Sequence, residues 1–233
     1  MKTPMLVLAG GLGSRIKPVL KEVPKALAPI QGKPFLEILL DNWTSRDIKN
    51  FIFLLGHKSL QIEIFLEKNF KKYKDCFYQI VKEDNPLGTG GAVANAVSQL
   101  NLEGDFFVIN ADTWLNFDLN EILKTKSCSI GVLKVNDTSR YGEIDFDQKM
   151  IIDKFHEKNN KKKNGFINSG FYYLNSNIFL EWDKNPCSLE KDYFPKLIGE
   201  GNLKACLIES DFIDIGVPED YQKFNKFYGK SIS

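Results

Sequence analysis

The feature that most limits how this chain can fold is the alternation in its first half. A wholly apolar run, Met5-Leu-Val-Leu-Ala9, gives way to Phe35 to Trp43 at helical spacing. A second apolar run, Phe51-Ile-Phe-Leu-Leu55, then gives way to Leu60 to Phe70, again at helical spacing. Phe77 to Val81 makes a third strand, Gly90 to Leu100 a third helix and Phe106 to Ile109 a fourth strand. This order predicts parallel strands, and strands that are apolar along their whole length belong to a sheet covered by helices on both faces.

After residue 115 the pattern loosens. Cys128 to Val135, Gly142 to Phe146, Met150 to Phe155 and Gly165 to Leu174 read as strands of a mixed sheet. Helices are expected over Asn175 to Trp182 and Leu189 to Ile198, a strand over Leu203 to Ile208, and a closing helix from Pro218, a favoured first-turn residue. The run Lys158-Asn-Asn-Lys-Lys-Lys163 reads as a solvated hairpin tip.

The first strand runs directly into Gly10-Gly11-Leu12-Gly13-Ser14-Arg15, which puts a permissive backbone at the carboxyl end of a parallel strand, where open α/β sheets bind ligands. Three glycines in four residues let several N–H groups converge on one anion. The loop is neither of two familiar phosphate loops: a Walker loop would end in Gly-Lys-Ser/Thr, and a dinucleotide fingerprint would need glycine or alanine at Ile16. Its surroundings are basic. Residues 1–33 contain Lys2, Arg15, Lys17, Lys21, Lys25 and Lys33 against the single acid Glu22, which suits a phosphate chain bound by a planar Arg fork and a Lys point charge.

The chain as a whole is close to neutral, with 31 Lys and Arg against 30 Asp and Glu, so no nucleic acid or anionic membrane partner is expected. No apolar run approaches the roughly 20 residues that span a bilayer, and the expected location is cytoplasmic. Cys76, Cys128, Cys187 and Cys206 lie far apart and read as buried thiols rather than as a disulfide framework or zinc site.

The order of motifs resembles the sugar-1-phosphate nucleotidylyltransferases. Leu8-Ala-Gly-Gly-Leu-Gly-Ser-Arg15, Val23-Pro-Lys25 and Pro29-Ile-Gln-Gly-Lys-Pro34 are followed, in that family's order, by Pro86-Leu-Gly-Thr-Gly-Gly-Ala92, Asn110-Ala-Asp112, Tyr141-Gly142, Glu157-Lys158, Ile167-Asn-Ser-Gly170 and Asp214-Ile-Gly216. Within it, Gly32-Lys-Pro-Phe-Leu-Glu37 and Phe212-Ile-Asp-Ile-Gly-Val-Pro-Glu-Asp220 look most like the D-glycero-D-manno-heptose 1-phosphate guanylyltransferases. The resemblance implies a single domain over residues 1–233 with a Rossmann-like, GT-A-like α/β fold, its central mixed sheet mostly parallel and flanked by helices. Residues up to about 115 would form the nucleotide half and those from about 116 the sugar-phosphate half.

It also implies the reaction. An oxygen of a sugar 1-phosphate attacks the α-phosphorus of a nucleoside triphosphate and pyrophosphate leaves, giving a nucleotide sugar for surface polysaccharide. Arg15 is expected on the β- and γ-phosphates and Lys25 on the α-phosphate. Leu8, Ala9, Gly10, Gly11, Gly13, Ser14, Gly88 and Thr89 are expected to border the nucleotide, the last two at a helix start with free N–H groups. Glu83 is the expected reader of guanine, whose adjacent N1–H and N2–H donors suit a carboxylate. The resemblance places Mg²⁺ on Asp112 and Asp214, each at the end of an apolar segment and so able to reach one sheet edge; an Asp-x-Asp metal motif fails at Trp114. Gly142, Glu157, Lys158, Asn168 and Gly170 are expected around the sugar phosphate, with Ser169 and Ala111 as small departures from the family pattern. A uridylyl- or cytidylyltransferase on another sugar phosphate, or a non-catalytic nucleotide-sugar-binding regulator, are the alternatives, and a homo-oligomer is left open.

Overall fold

The computed structural model describes residues 3–11, 13, 15–20, 22–56, 58–156 and 163–231. Its strands are β1 (Met5–Leu8), β2 (Pro29–Ile30), β3 (Lys33–Pro34), β4 (Asn50–Leu55), β5 (Phe77–Lys82), β6 (Asp105–Asn110), β7 (Thr113–Leu115), β8 (Ser129–Val135), β9 (Glu143–Phe146), β10 (Ile152–His156), β11 (Gly165–Asn175), β12 (Lys204–Leu207) and β13 (Phe212–Asp214). Its α-helices are α1 (Lys17–Leu20), α2 (Phe35–Thr44), α3 (Ser59–Asn69), α4 (Gly88–Leu100), α5 (Leu119–Leu123), α6 (Phe194–Gly199) and α7 (Pro218–Ser231). The architecture is the expected mixed α/β one. The chain forms two compact units without a single cut: one comprises residues 1–85, 110–116 and 211–233, the other residues 86–109 and 117–210.

In the first unit β1, β4 and β5 run parallel, with Met5 beside Phe51 and Phe51 beside Tyr78. Met5, Leu6 and Val7 are fully buried, as are nearly all of Phe51 to Leu55, because both faces of these strands are covered. β5 ends the strand order and shows it, with Phe77 69% exposed. Helix α2 buries Phe35, Leu36, Ile38, Leu39, Leu40 and Trp43, the wide stripe of a helix packed on a sheet. Phe35 meets Phe224 of α7 edge to face with ring centroids 5.0 Å apart.

The second unit is built mostly from antiparallel pairs: β11 with β6, β8 and β9, and β9 with β10, while β8 and β12 run parallel. Phe107, Phe117 and Phe171 stack in its core. The parallel pairing predicted for the first half is present in β1, β4 and β5, whereas β6, the fourth predicted strand, is antiparallel to β11; the mixed pairing predicted after residue 115 is present as well.

Three details differ from expectation. The helix expected over 175–182 is only the 3-10 turn Ser176–Phe179. The helix expected over 189–198 is a π-type turn, Leu189–Tyr193, followed by α6, with Pro195 in the first turn of α6. Proline has no N–H to extend a preceding turn but suits a new helix start, so the pattern restarts there. All four cysteines are free thiols, but only Cys206 is buried; Cys76, Cys128 and Cys187 are half-buried. Of the basic tip expected over 158–163, residues 158–162 lie outside the described residues, and Lys163 pairs with Glu143 at 2.7 Å. No helix among the described residues is long and apolar enough to cross a membrane.

Candidate active site

The glycine loop leaves the carboxyl end of β1, where Leu8 is half-buried and the Ala9 N–H donates to the Leu54 carbonyl. Glu83, just past β5, donates its N–H to the Leu55 carbonyl, and its side chain comes back over the ends of β1 and β4. A methyl group on Gly10 would lie 2.9 Å from Glu83 Oε1, and one on Gly56 would lie 2.6 Å from it. Glycine at both positions is what lets this carboxylate reach the loop. Gly11 faces open space and Gly13 has φ +59°, a left-handed conformation that favours glycine. Ser14 lies outside the described residues. Arg15 follows in an exposed turn.

The same unit brings Lys25, Asp112 and Asp214 together. Pro24, extended at φ −61°, starts the 3-10 turn Lys25–Leu27, and the Lys25 side chain, 15% exposed, reaches Asp112 with Nζ to Oδ2 at 2.5 Å. Thr113 Oγ1 donates to the other oxygen of Asp112 at 3.2 Å. Asp112 and Asp214 do not end neighbouring strands of the main sheet; they are joined by a separate antiparallel ribbon. β7 pairs with β13, Thr113 opposite Asp214, and the Ile215 N–H donates to the Asp112 carbonyl at 2.9 Å. The Gly216 N–H holds Asp214 Oδ1 at 2.7 Å, and a methyl group on Gly216 would meet that oxygen at 2.8 Å. Gly216 is thus a determinant of carboxylate position that the sequence shows only as part of a motif.

Burial, and then the neighbouring Asp112 carboxylate, push the Asp214 carboxyl above its ordinary value, while Lys25, the Gly216 N–H and Arg15 pull it down. The site therefore crowds two carboxylates beside two cations in a partly dehydrated place.

Gly88, Thr89, Gly142, Asn168 and Gly170 lie in the second unit. Gly88 opens α4 with φ +74°, and a methyl group there would sit 2.4 Å from the Cys187 carbonyl oxygen. That carbonyl accepts the N–H groups of Gly90 and Gly91 at 3.0 and 3.1 Å. The free N–H groups expected at this helix start are accordingly reduced by two, and Gly90 owes its size to packing against Tyr193 and Ser188 rather than to an approaching base. The Gly142 carbonyl accepts the Asn168 N–H at 2.9 Å, which brings those two predicted residues together. Asn168 and Gly170, the latter at φ +73°, sit where the register of β11 on β8 shifts between Asn168 and Tyr172. Such bulges re-aim side chains beside functional sites. Glu157 and Lys158 lie outside the described residues.

A glycine loop, two cations and two carboxylates held in one unit are the parts of a phosphate-handling enzyme, and comparison with known proteins bears on which one. The family described as nucleotidyl transferase matches residues 5–231. The chain belongs to that family. A D-glycero-alpha-D-manno-heptose 1-phosphate guanylyltransferase of Campylobacter jejuni is 36% identical over 224 residues, covering 94% of this chain and 97% of the relative. One of Aneurinibacillus thermoaerophilus is 31% identical over 227 residues, covering 95% and 96%. The crystal structure of HddC from Yersinia pseudotuberculosis complexed with GMP-PN matches with a TM-score of 0.86 and 33% identity, covering 97% of this chain and 99% of that one. The protein is thus a nucleotidyltransferase, and its fold is that of this family.

Nucleotidyltransferases of this family generally use a divalent metal. The donor set fits one: two carboxylates supply hard oxygen ligands, and the upward push on Asp214 from Asp112 is a repulsion that a bound divalent cation would relieve.

Proposed function

We propose that the protein transfers a guanylyl group from GTP to a heptose 1-phosphate, releasing pyrophosphate and forming a nucleotide sugar for surface polysaccharide. The observation that carries the reading is the grouping of Arg15 and Lys25 with Asp112 and Asp214 in one unit beside the glycine loop. The substrates are chosen from the two heptose 1-phosphate guanylyltransferases to which nearly the whole chain is similar. Both substrates are soluble and phosphorylated, which suits a cytoplasmic enzyme.

In this reading the N–H groups of Gly10, Gly11 and Gly13 meet the triphosphate, with Leu8 and Ala9 delivering the loop to it. The exposed Arg15 guanidinium clasps the β- and γ-phosphates and stabilises the departing pyrophosphate. Lys25 faces the α-phosphate, where negative charge builds as the sugar-phosphate oxygen attacks and the bond to the pyrophosphate oxygen breaks. No side chain needs to act as a nucleophile; rate comes from aligning attacking and leaving oxygens and from charges set in advance. Asp112 and Asp214 would hold Mg²⁺, which when bound neutralises phosphate charge and organises phosphate oxygens.

Asp112 has a second duty, because its contact with Nζ fixes the Lys25 side chain. Glu83, brought over Gly10 and Gly56, accepts the N1–H and N2–H of guanine. Gly88 and Thr89 border the nucleoside, while Gly142, Asn168 and Gly170, with Glu157 and Lys158, receive the sugar phosphate.

The test is to incubate the protein with Mg²⁺, each nucleoside triphosphate in turn and a panel of sugar 1-phosphates, and to follow pyrophosphate. GTP with a heptose 1-phosphate is expected to give the fastest release. No release with any pair refutes the reading, and a faster pyrimidine nucleotide refutes the choice of base.

A further inference from the structure

Between the residues proposed for the nucleoside and those proposed for the sugar lies a carboxylate with no role in the reading above. Glu190 belongs to the π-type turn Leu189–Tyr193, a conformation that recurs at functional sites. Ser188 caps the turn, its Oγ accepting the N–H groups of Glu190 and Lys191 at 3.1 and 3.3 Å. Glu190 Oε2 accepts from Thr89 Oγ1 at 2.9 Å and from Ser188 Oγ at 2.7 Å. Its other oxygen, Oε1, accepts from the Tyr172 hydroxyl at 3.2 Å. Each oxygen therefore serves a different segment of the same unit.

The direction of every bond in this cluster follows from that carboxylate. Thr89 Oγ1 accepts the Leu189 N–H at 3.0 Å, so its own hydrogen is directed to Glu190. The Tyr172 hydroxyl, on a ring that is 1% exposed, gives its hydrogen to Glu190 and so can accept Asn168 Nδ2 at 2.9 Å. Asn168 Oδ1 in turn accepts the Gly170 N–H at 2.9 Å. The amide of Asn168 is thereby fixed in one orientation. It keeps one N–H and one lone pair for a partner that both donates and accepts, which is what a sugar hydroxyl does.

We propose that Glu190 is a positioning residue for both substrates, its Oε2 setting the Thr89 turn at the start of α4 for the nucleoside and its Oε1, through Tyr172, setting Asn168 for the sugar. The inference rests on the assignment of those two segments in the proposed function. It requires a carboxylate, since an amide of the same shape would point a donor at Thr89 and Ser188 or at Tyr172, each already aligned as a donor.

The test compares Glu190→Gln, Thr89→Val and Tyr172→Phe by steady-state kinetics and thermal unfolding. Glu190→Gln is expected to raise the KM of both substrates about tenfold, more than it lowers kcat. Thr89→Val is expected to raise mainly the nucleotide KM, and Tyr172→Phe mainly the sugar-phosphate KM. A merely structural role would lower Tm and leave both KM values of the folded enzyme alone; that result, or a shift in only one KM for Glu190→Gln, overturns the proposal. Should Glu190→Gln fail to fold, the split between Thr89→Val and Tyr172→Phe decides, and equal effects of these two on both substrates would overturn it. If wild type releases pyrophosphate only with a different substrate pair, the proposed function fails while the comparison is run with that pair. If no pair turns over, GTP binding by calorimetry replaces it, and unchanged affinity in both Glu190→Gln and Thr89→Val overturns the inference.

Discussion

Gly88→Ala separates two costs that usually arrive together. The native φ of +74° would charge any L side chain about 1–2 kcal/mol for the left-handed backbone. The new methyl would also lie 2.4 Å from the Cys187 carbonyl oxygen, a main-chain atom that cannot simply rotate away. To make room, that carbonyl must retreat from the Gly90 and Gly91 N–H groups, which it now accepts at 3.0 and 3.1 Å, each bond worth about 1 kcal/mol. The expected loss is about 3–4 kcal/mol, or about 10 °C in Tm at 2–4 °C per kcal/mol for a chain of this size. Gly104→Ala is the control. Gly104 has φ +81° in the same unit, but nothing lies within 4 Å of its added methyl, so only the backbone cost applies, about 1–2 kcal/mol. Differential scanning calorimetry of both variants reads the difference directly. A Gly88→Ala protein no less stable than Gly104→Ala would show that the Cys187 contact does not constrain the start of α4. The nucleotide KM should rise in Gly88→Ala and stay put in Gly104→Ala.

Asp112→Asn should lower kcat at least about 100-fold while circular dichroism reports an intact fold, because it removes a proposed metal ligand and the ionic anchor of Lys25 together; full turnover would refute the assignment. Glu83→Gln should reduce the GTP to UTP preference in kcat/KM about tenfold, the value of one lost base-reading contact of about 1.4 kcal/mol, and an unchanged ratio would remove Glu83 from base choice. Burial pushes the Cys206 thiol from its ordinary 9.0 up to about 11, so the folded protein keeps a proton that the unfolded chain releases. Its contribution to stability is intact below pH 9 and is lost as the pH climbs toward 11; urea unfolding of wild type and Cys206→Ala should therefore converge across that interval, and parallel curves would contradict the shift.

The elements that could be read from sequence are those whose burial is periodic. β1, β4 and α2 declare themselves because nearly every apolar position is used by the core. Asp112 is legible as an acid just past a buried strand, and Lys25 as the residue after a proline. That Asp112 meets Asp214 is not legible, because β7 and β13 have three residues each and no period to detect. The glycines of 88–91 read as room for a ligand, whereas much of that room is occupied by Cys187, Ser188 and Tyr193 from about a hundred residues later. Glu190 is the extreme case: in Leu189-Glu-Lys-Asp-Tyr193 it looks like one more surface charge, and only a partner 101 residues away reveals otherwise.

The ribbon of β7 and β13 has a consequence for how such a chain is assembled. It ties residues 113–115 to residues 212–214, so the second unit's longer segment, 117–210, is an excursion pinned shut at its base. The two carboxylates are held locally, by the pairing of β7 with β13, by the Gly216 N–H on Asp214 and by Lys25 on Asp112, all within the first unit. The same arrangement imposes an order on synthesis, since Asp112 waits for nearly the whole remaining chain before its partner exists.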